Sequence, residues 1–281
     1  MAPLSRPQVT WDTGTVHREI PLDGGNVSHV VRIGDTVRRS AGPWTPAVHE
    51  LLAHLEDVGF EYSPRVLGID DSGREVLTFI EGDTVGTTSP WPAWAWSDAT
   101  LEQAATILRE YHEAVRDYRP KAGSRWRMQS GVLGADDIIC HNDFAPYNLV
   151  HREGRIVGVI DWDLAGPGIP AWDLAFAAWT FAPISIDADP TDVDAHRRIG
   201  DRIAMICGCY GLQEPEGFLP LIGMRMRSCI EGIEASAEAG DPAFLALIEG
   251  GHVDRMRRDA RVLGQWGSLW QRTLSDPGSS S

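Results

Sequence analysis

Asp143, Asn148 and Asp161 are the residues whose types and spacing can do chemistry. Two are carboxylates and the third carries an amide oxygen, so all three offer hard oxygen atoms. Such a set suits Mg2+, which binds through one or two carboxylates and completes its shell with waters and substrate phosphates. Phosphoryl transfer needs this inventory: an acceptor hydroxyl held in line, a group to take its proton, and metal to offset the charge of a triphosphate. Asp143 is the candidate for orienting the hydroxyl and accepting the proton, and Asn148 and Asp161 for holding metal. Each residue alone would be ordinary turn chemistry. Their joint spacing, with apolar runs on either side, points to a site.

Short elements must position them. Residues 138–140 (IIC) read as an apolar strand that delivers His141, Asn142 and Asp143 to its end. Pro146 keeps the following loop irregular, and Asn148 comes five residues after Asp143. A turn around Gly154 leads into a second strand, residues 156–160 (IVGVI), which delivers Asp161 and Asp163. The two strand ends therefore meet at one edge.

The regions on either side differ in character. Residues 30–33 and 36–39 flank Gly34-Asp35 and predict a hairpin. A helix follows, with Thr45 as its cap, Pro46 at its first position, Val48, Leu51, Leu52 and Leu55 on one face, and Gly59 at its end. Two more strands are predicted over 64–69 and 75–80. Gly82, Gly86, Pro90 and Pro92 then break the pattern. Beyond them the periodicity is helical: 98–117 with Ser97 as cap, 171–181, 192–210, 218–238, and 242–270 with a break near Gly250-Gly251. The fold class is α+β. A strand-rich lobe with one main helix spans 1–82, a mostly helical lobe carrying the chemistry spans 83–274, and 275–281 form a polar tail.

Bulk properties bound the partners. Among 281 residues, 25 basic and 40 acidic side chains leave a net charge of −15, which argues against nucleic acid or an anionic membrane. The four cysteines form no CxxC pair and stand at no zinc-ligand spacing, so free thiols in a reducing cytoplasm are expected. The first residues lack the basic-then-apolar pattern of a signal peptide. The expectation is a cytoplasmic monomer or weak dimer.

The run HNDFAPYN, followed by GVIDWD and PAWDLA, resembles the aminoglycoside phosphotransferase family of antibiotic and small-molecule kinases. His141 to Asn148 is similar to the H-x-D-x-x-x-x-N catalytic loop of kinase-like enzymes, and Asp161 resembles their metal-binding aspartate. Trp162-Asp163 stands where protein kinases carry Phe-Gly. The resemblance implies a bilobal protein-kinase-like fold, ATP or GTP with Mg2+, and transfer to a hydroxyl. It implies that Asp173 braces the catalytic loop, with His141 packed beneath it. It also implies a cation on the second hairpin strand for the α- and β-phosphates. The chain's only lysine is Lys121, so Arg38 or Arg39 must serve. Arg39 is favoured because Val37 shares its face. Glu50 is the candidate ion-pair partner for that arginine, with His49 as its neighbour. Adenine is expected at Phe79, Ile80 and Glu81, and the Gly25–Ser28 loop is expected over the phosphates.

For the acceptor, Glu231, Glu234 and Glu238 share one helical stripe, and Asp187, Asp189, Asp192 and Asp194 form a second acidic patch. With Asp163, these are the candidate contacts for a cationic substrate. Acidity and resemblance together favour a cationic antibiotic, either an aminoglycoside or a basic cyclic peptide of the capreomycin or viomycin type. The alternatives are a metabolic kinase for choline, a sugar or an amino acid, and a metal-dependent hydrolase using His141, Asp143, Asp161 and Asp163 as ligands.

Overall fold

A computed structural model describes residues 18–22, 30–86, 90–127, 137–184 and 191–275. Gly25, Ser28, Asp187 and Asp189 lie outside them. The first region is an antiparallel sheet of five strands: β1 (Ile20–Pro21), β2 (Val31–Ile33), β3 (Thr36–Ser40), β4 (Val66–Ile69) and β5 (Arg74–Thr78), in the order β1-β2-β3-β5-β4. The β2–β3 hairpin turns on Gly34 at φ +58°, which glycine adopts at little cost. In the β3–β5 ladder Arg39 lies directly opposite Glu75 and Arg38 opposite Val76.

Helix α1 (Thr45–Asp57) buries Val48, Leu51, Leu52 and Leu55 and rests on β4 and on the Trp162–Leu164 turn. Its start differs from expectation. Trp44 occupies the cap, Thr45 is already helical, and the Thr45 hydroxyl turns back to accept from the Gly42 N–H at 2.8 Å. Each buried leucine contributes about 1.5–3 kcal/mol, so the apolar face holds the helix rather than its cap.

The crossing into the helical region depends on Gly82, at φ +154°. A Cβ there would lie 2.7 Å from Val150 Cγ1 and 2.8 Å from the His151 carbonyl oxygen. Asp83 and His151 exchange both backbone hydrogen bonds, at 2.7 and 2.8 Å. Helix α2 (Asp98–Ala114) follows, with the Ser97 hydroxyl accepting from the Thr100 N–H at 3.1 Å.

Two small ladders then frame the candidate site. β6 (Ile138–Cys140) pairs with β9 (Gly166–Gly168), and β7 (Leu149–Arg152) pairs with β8 (Arg155–Val159). The Gly-Pro-Gly strand has no strand propensity of its own; pairing with the buried β6 imposes its extended form. The remainder is helical: α3 (Pro170–Phe181), α4 (Val193–Tyr210), α5 (Phe218–Glu238), α6 (Pro242–Glu249) and α7 (His252–Ser275). The break between α6 and α7 falls at Gly250-Gly251. One apolar cluster runs from Leu51 and Leu77 through Tyr111 and Trp162 to Ile222 and Trp270. Among the described residues no helix is long and apolar enough to cross a membrane.

Candidate active site

Asp143 leaves β6 on a loop held by its backbone. Asp173, fully buried at the start of α3, accepts the N–H groups of His141 (2.7 Å) and Asn142 (2.9 Å), and His112 Nε2 lies 3.2 Å away. Burial works against the Asp173 charge, but the contact with His112 and these N–H bonds hold its pKa below the usual carboxylate value. Asn142 sits at φ +65°, an uncommon conformation for a residue with a Cβ. Its side-chain amide donates to the Leu164 carbonyl at 3.0 Å, which helps hold it there.

His141 links the two loops. The Asp143 N–H donates to His141 Nδ1 at 3.2 Å, so Nδ1 is an acceptor and the ring proton sits on Nε2, 3.2 Å from the Ile160 carbonyl. Burial lowers its pKa and favours this neutral form. Both ring nitrogens are committed, so His141 is not available as a metal ligand. Among the described residues no group of three His, Cys, Asp or Glu side chains is arranged to hold a metal. The four-ligand hydrolase reading loses its site.

The Asp143 carboxylate is contacted at both oxygens. Asn148 Nδ2 donates to Oδ2 at 2.8 Å and to the Asp143 carbonyl at 2.9 Å, and the Tyr147 hydroxyl donates to Oδ1 at 2.7 Å. Burial and then the nearby Asp161 charge push the Asp143 pKa up to about 7, against the pull of these two donors. Its ordinary value is 3.8. With its nitrogen on Asp143, Asn148 has its carbonyl oxygen to offer a cation.

Asp161 follows β8 at φ +62° and is half exposed. Its Oδ1 receives Arg39 Nη1 at 3.1 Å, while Arg39 Nη2 meets Asp163 Oδ1 at 2.7 Å and Nε meets Glu75 Oε1. Burial opposes the Arg39 charge, but Asp163, Glu75 and Asp161 outweigh it and raise its pKa. Asp163, raised to about 6 by burial despite Arg39, also lies 3.8 Å from Arg127. An oxygen set of Asp161 and Asn148, next to Asp143, whose pKa is raised by burial and then by the Asp161 charge, fits a divalent cation.

Several expected contacts are corrected. Glu50 does not reach the strand arginine; it pairs with Lys121 at 2.7 Å. Arg39 takes Glu75 instead, because the β3–β5 register sets the two directly across from each other. His49, the neighbouring candidate, approaches Glu75 at 3.0 Å. Arg38 points to the opposite side of the sheet, 3.6 Å from Asp70. Asp163 is buried between Arg39 and Arg127 and presents no open carboxylate to a substrate. Glu231, Glu234 and Glu238 do not face Asp143. Arg225 and Cys229 occupy the loop side of α5, and the glutamates fall roughly half a turn round, where Glu234 pairs with Arg257 of α7 at 2.5 Å. Asp192 caps α4 and Asp194 pairs with Arg197 at 2.9 Å.

Of the adenine candidates, Ile80 packs on Gly158 of β8, where a Cβ would stand 2.7 Å from its Cδ1. Phe79 lies under the Arg32 guanidinium at 3.8 Å, and Glu81 is exposed. A cavity of 470 Å3 lined by Arg109, His112, Tyr210 and Pro170 lies on the His112 side of Asp173, behind the loop rather than at Asp143.

Two residues that matter were not singled out. Tyr147 was hidden inside the loop motif, where its ring could as well have been packing. Arg225, 83 residues from its partner, donates to the Asn142 carbonyl at 2.7 Å. No local signal could have found it.

Residues 92–202 match the profile of the phosphotransferase enzyme family. The trifolitoxin immunity protein of Rhizobium leguminosarum bv. trifolii is 40% identical over 210 residues, covering 70% of this chain and 76% of that protein. The chain belongs to the phosphotransferase enzyme family. It is an ATP-dependent phosphotransferase with a bilobal kinase-like fold. Among solved structures, the microcompartment-associated aminopropanol kinase superposes with a TM-score of 0.59 at 13% identity, covering 95% of each chain. The amicoumacin kinase hAmiN, solved with AMP-PNP and Ca2+, gives 0.58 at 12% identity over 84% of this chain and 88% of that one. The gentamicin complex of APH(2")-IIa gives 0.52 at 14% identity, covering 86% and 93%. These likenesses concern the fold.

Proposed function

We propose that this phosphotransferase moves the γ-phosphate of ATP to a hydroxyl of an antimicrobial small molecule or peptide and so protects the cell that makes the enzyme. The observation that carries the chemistry is Asp143, held by Asn148 and Tyr147 beside Asp161. A carboxylate whose pKa burial and the Asp161 charge raise to about 7 is close to the ideal for taking a proton at neutral pH. Asp143 orients the acceptor hydroxyl and receives its proton as the new O–P bond forms. Asp161 and the Asn148 carbonyl would hold Mg2+, which supplies charge neutralisation for the triphosphate. Arg39, placed on the strand side of Asp161, is the cation for the α- and β-phosphates. Phe79, Ile80 and Glu81 supply the linker against which adenine would rest, and the loop with Gly25 and Ser28 is proposed over the phosphates.

Protection is drawn from the 40% identical relative, whose name describes immunity to trifolitoxin. The stripe of Glu231, Glu234 and Glu238 that favoured a cationic acceptor turns away from Asp143, so hydroxyl-bearing antimicrobials are proposed without a charge requirement. The test is a panel of such compounds, with choline and amino alcohols included, incubated with ATP and Mg2+ and read by mass gain of one phosphate. Asp143→Ala should reduce that gain about 10²–10⁴-fold. Full transfer by the variant would remove Asp143 as the base. Transfer confined to choline or an amino alcohol would favour a metabolic kinase.

A further inference from the structure

Asn148 already fixes the Asp143 carboxylate, and His141 and Asp173 already fix the loop backbone. The Tyr147 hydroxyl on Oδ1 at 2.7 Å is therefore not needed for support. It does what an acceptor alcohol would do, an O–H donating to the base at hydrogen-bond distance. Burial, followed by the Asp143 charge, raises its pKa, so it remains a protonated donor at neutral pH. The ring meets Trp91 edge-on at 6.1 Å between centroids, and Trp91 stacks on Trp96 at 4.9 Å. All three rings are partly exposed, and Tyr147 packs its inner side against the core, so the aromatic group lies between core and surface beside Asp143.

A base that activates an alcohol also activates water. Attack by water forms an O–P bond, breaks the β–γ P–O bond of ATP, passes a proton to Asp143, and releases phosphate and ADP without product. We propose that the Tyr147 hydroxyl occupies the acceptor's place on Asp143 Oδ1, guards the base against water, and is displaced by the acceptor. This rests on the reading of Asp143 as the base.

The test needs no acceptor. Purified full chain with ATP and Mg2+ is assayed for ADP release, with ATP-induced thermal shift as a measure of folding. Tyr147→Phe removes only the hydroxyl and should raise ADP release about tenfold, the scale of one hydrogen bond to a charged group. A merely structural role would lower activity, not raise it. Tyr147→Leu should raise ADP release as well; a rise in Leu alone would implicate lost bulk and overturn the guard. Unchanged ADP release in a folded Tyr147→Phe, or phosphate found on Tyr147 of the unmodified chain, would also overturn it. Adding Asp143→Ala should abolish the rise. If the rise survives that change, the base assignment fails; if there is no rise while Asp143→Ala still loses the basal ADP release, only the guard fails.

Discussion

Two buried arginines flank the Asp143 loop, and the protein accommodates them in different ways. On the strand side, Arg39 touches Glu75, Asp161 and Asp163. On the helix side, Arg225 donates to the Asn142 carbonyl at 2.7 Å and to Cys229 Sγ at 3.0 Å, and its guanidinium lies over Phe176 at 4.8 Å and Trp172 at 5.3 Å. Arg225 has no carboxylate within salt-bridge distance among the described residues, and its Nε is buried without a partner. Arg39 is one member of a charge cluster, and on the proposed function Asp161 and Arg39 would exchange these contacts for metal and phosphate. Arg225 is tied to a backbone carbonyl, two ring faces and the Cys229 thiol, whose pKa burial raises. The strand side is held by charges, and the helix side by a backbone carbonyl, a thiol and ring faces.

Removing each cation should expose that difference. Arg39→Met leaves Glu75 and Asp163 buried without their cation and should destabilise the chain by about 3–5 kcal/mol at neutral pH, measured by denaturant unfolding. Part of this should return on acidification to pH 5. Asp163 has a folded pKa already raised to about 6, and such a group favours the fold at low pH and loses that advantage as pH rises.

Arg225→Met should be milder in stability, about 1–3 kcal/mol for the orphaned Asn142 carbonyl. It should lower kcat about 10–100-fold with little change in the KM for ATP, as expected when loop geometry is lost. Arg225→Lys, which keeps a donor, should recover part of that loss. Equal losses in kcat for both arginine variants, with equal changes in ATP binding, would erase the distinction.

The pH dependence should follow Asp143. As the base it must be ionised, so kcat/KM should rise with pH through a limb near 7 and level above it. Stability has the opposite slope. The folded pKa is raised from 3.8 to about 7, so the contribution of this group is complete below about pH 4 and is lost as pH climbs to 7. Saturating Mg2+ should move the kinetic limb lower, by offsetting the Asp161 charge.

The smallest effects belong to the displaced candidates. Glu50→Ala and Glu234→Ala each remove one exposed ion pair, to Lys121 and Arg257. Each should change stability by less than about 1 kcal/mol and leave phosphate transfer unaltered.

The chain spells out much of this directly. HNDFAPYN carries the proposed base and its amide partner within one loop, GVIDWD carries the second acid at a strand end, and both are local patterns. The apolar period of residues 48–55, the Ser97 cap and the Gly250-Gly251 break are local too, so helices appear where the pattern predicts them. Alternation along β3 was also enough to separate the faces of Arg38 and Arg39.

What the tertiary structure alone decided are the long-range pairings. Glu75 rather than Glu50 meets Arg39 because strand register, not helix sequence, sets that neighbour. Glu231, Glu234 and Glu238 make a plausible acidic stripe in one dimension, but the rotation of α5 against the loop turns Arg225 inward and the stripe towards α7. Tyr147 was readable as a residue but not as a donor to Asp143, since that depends on how a 3₁₀ turn folds its ring back over the loop. Sequence determined which groups can do the chemistry, because motif spacing is a local property. Packing determined which charges those groups face, because that is a property of elements far apart in the chain.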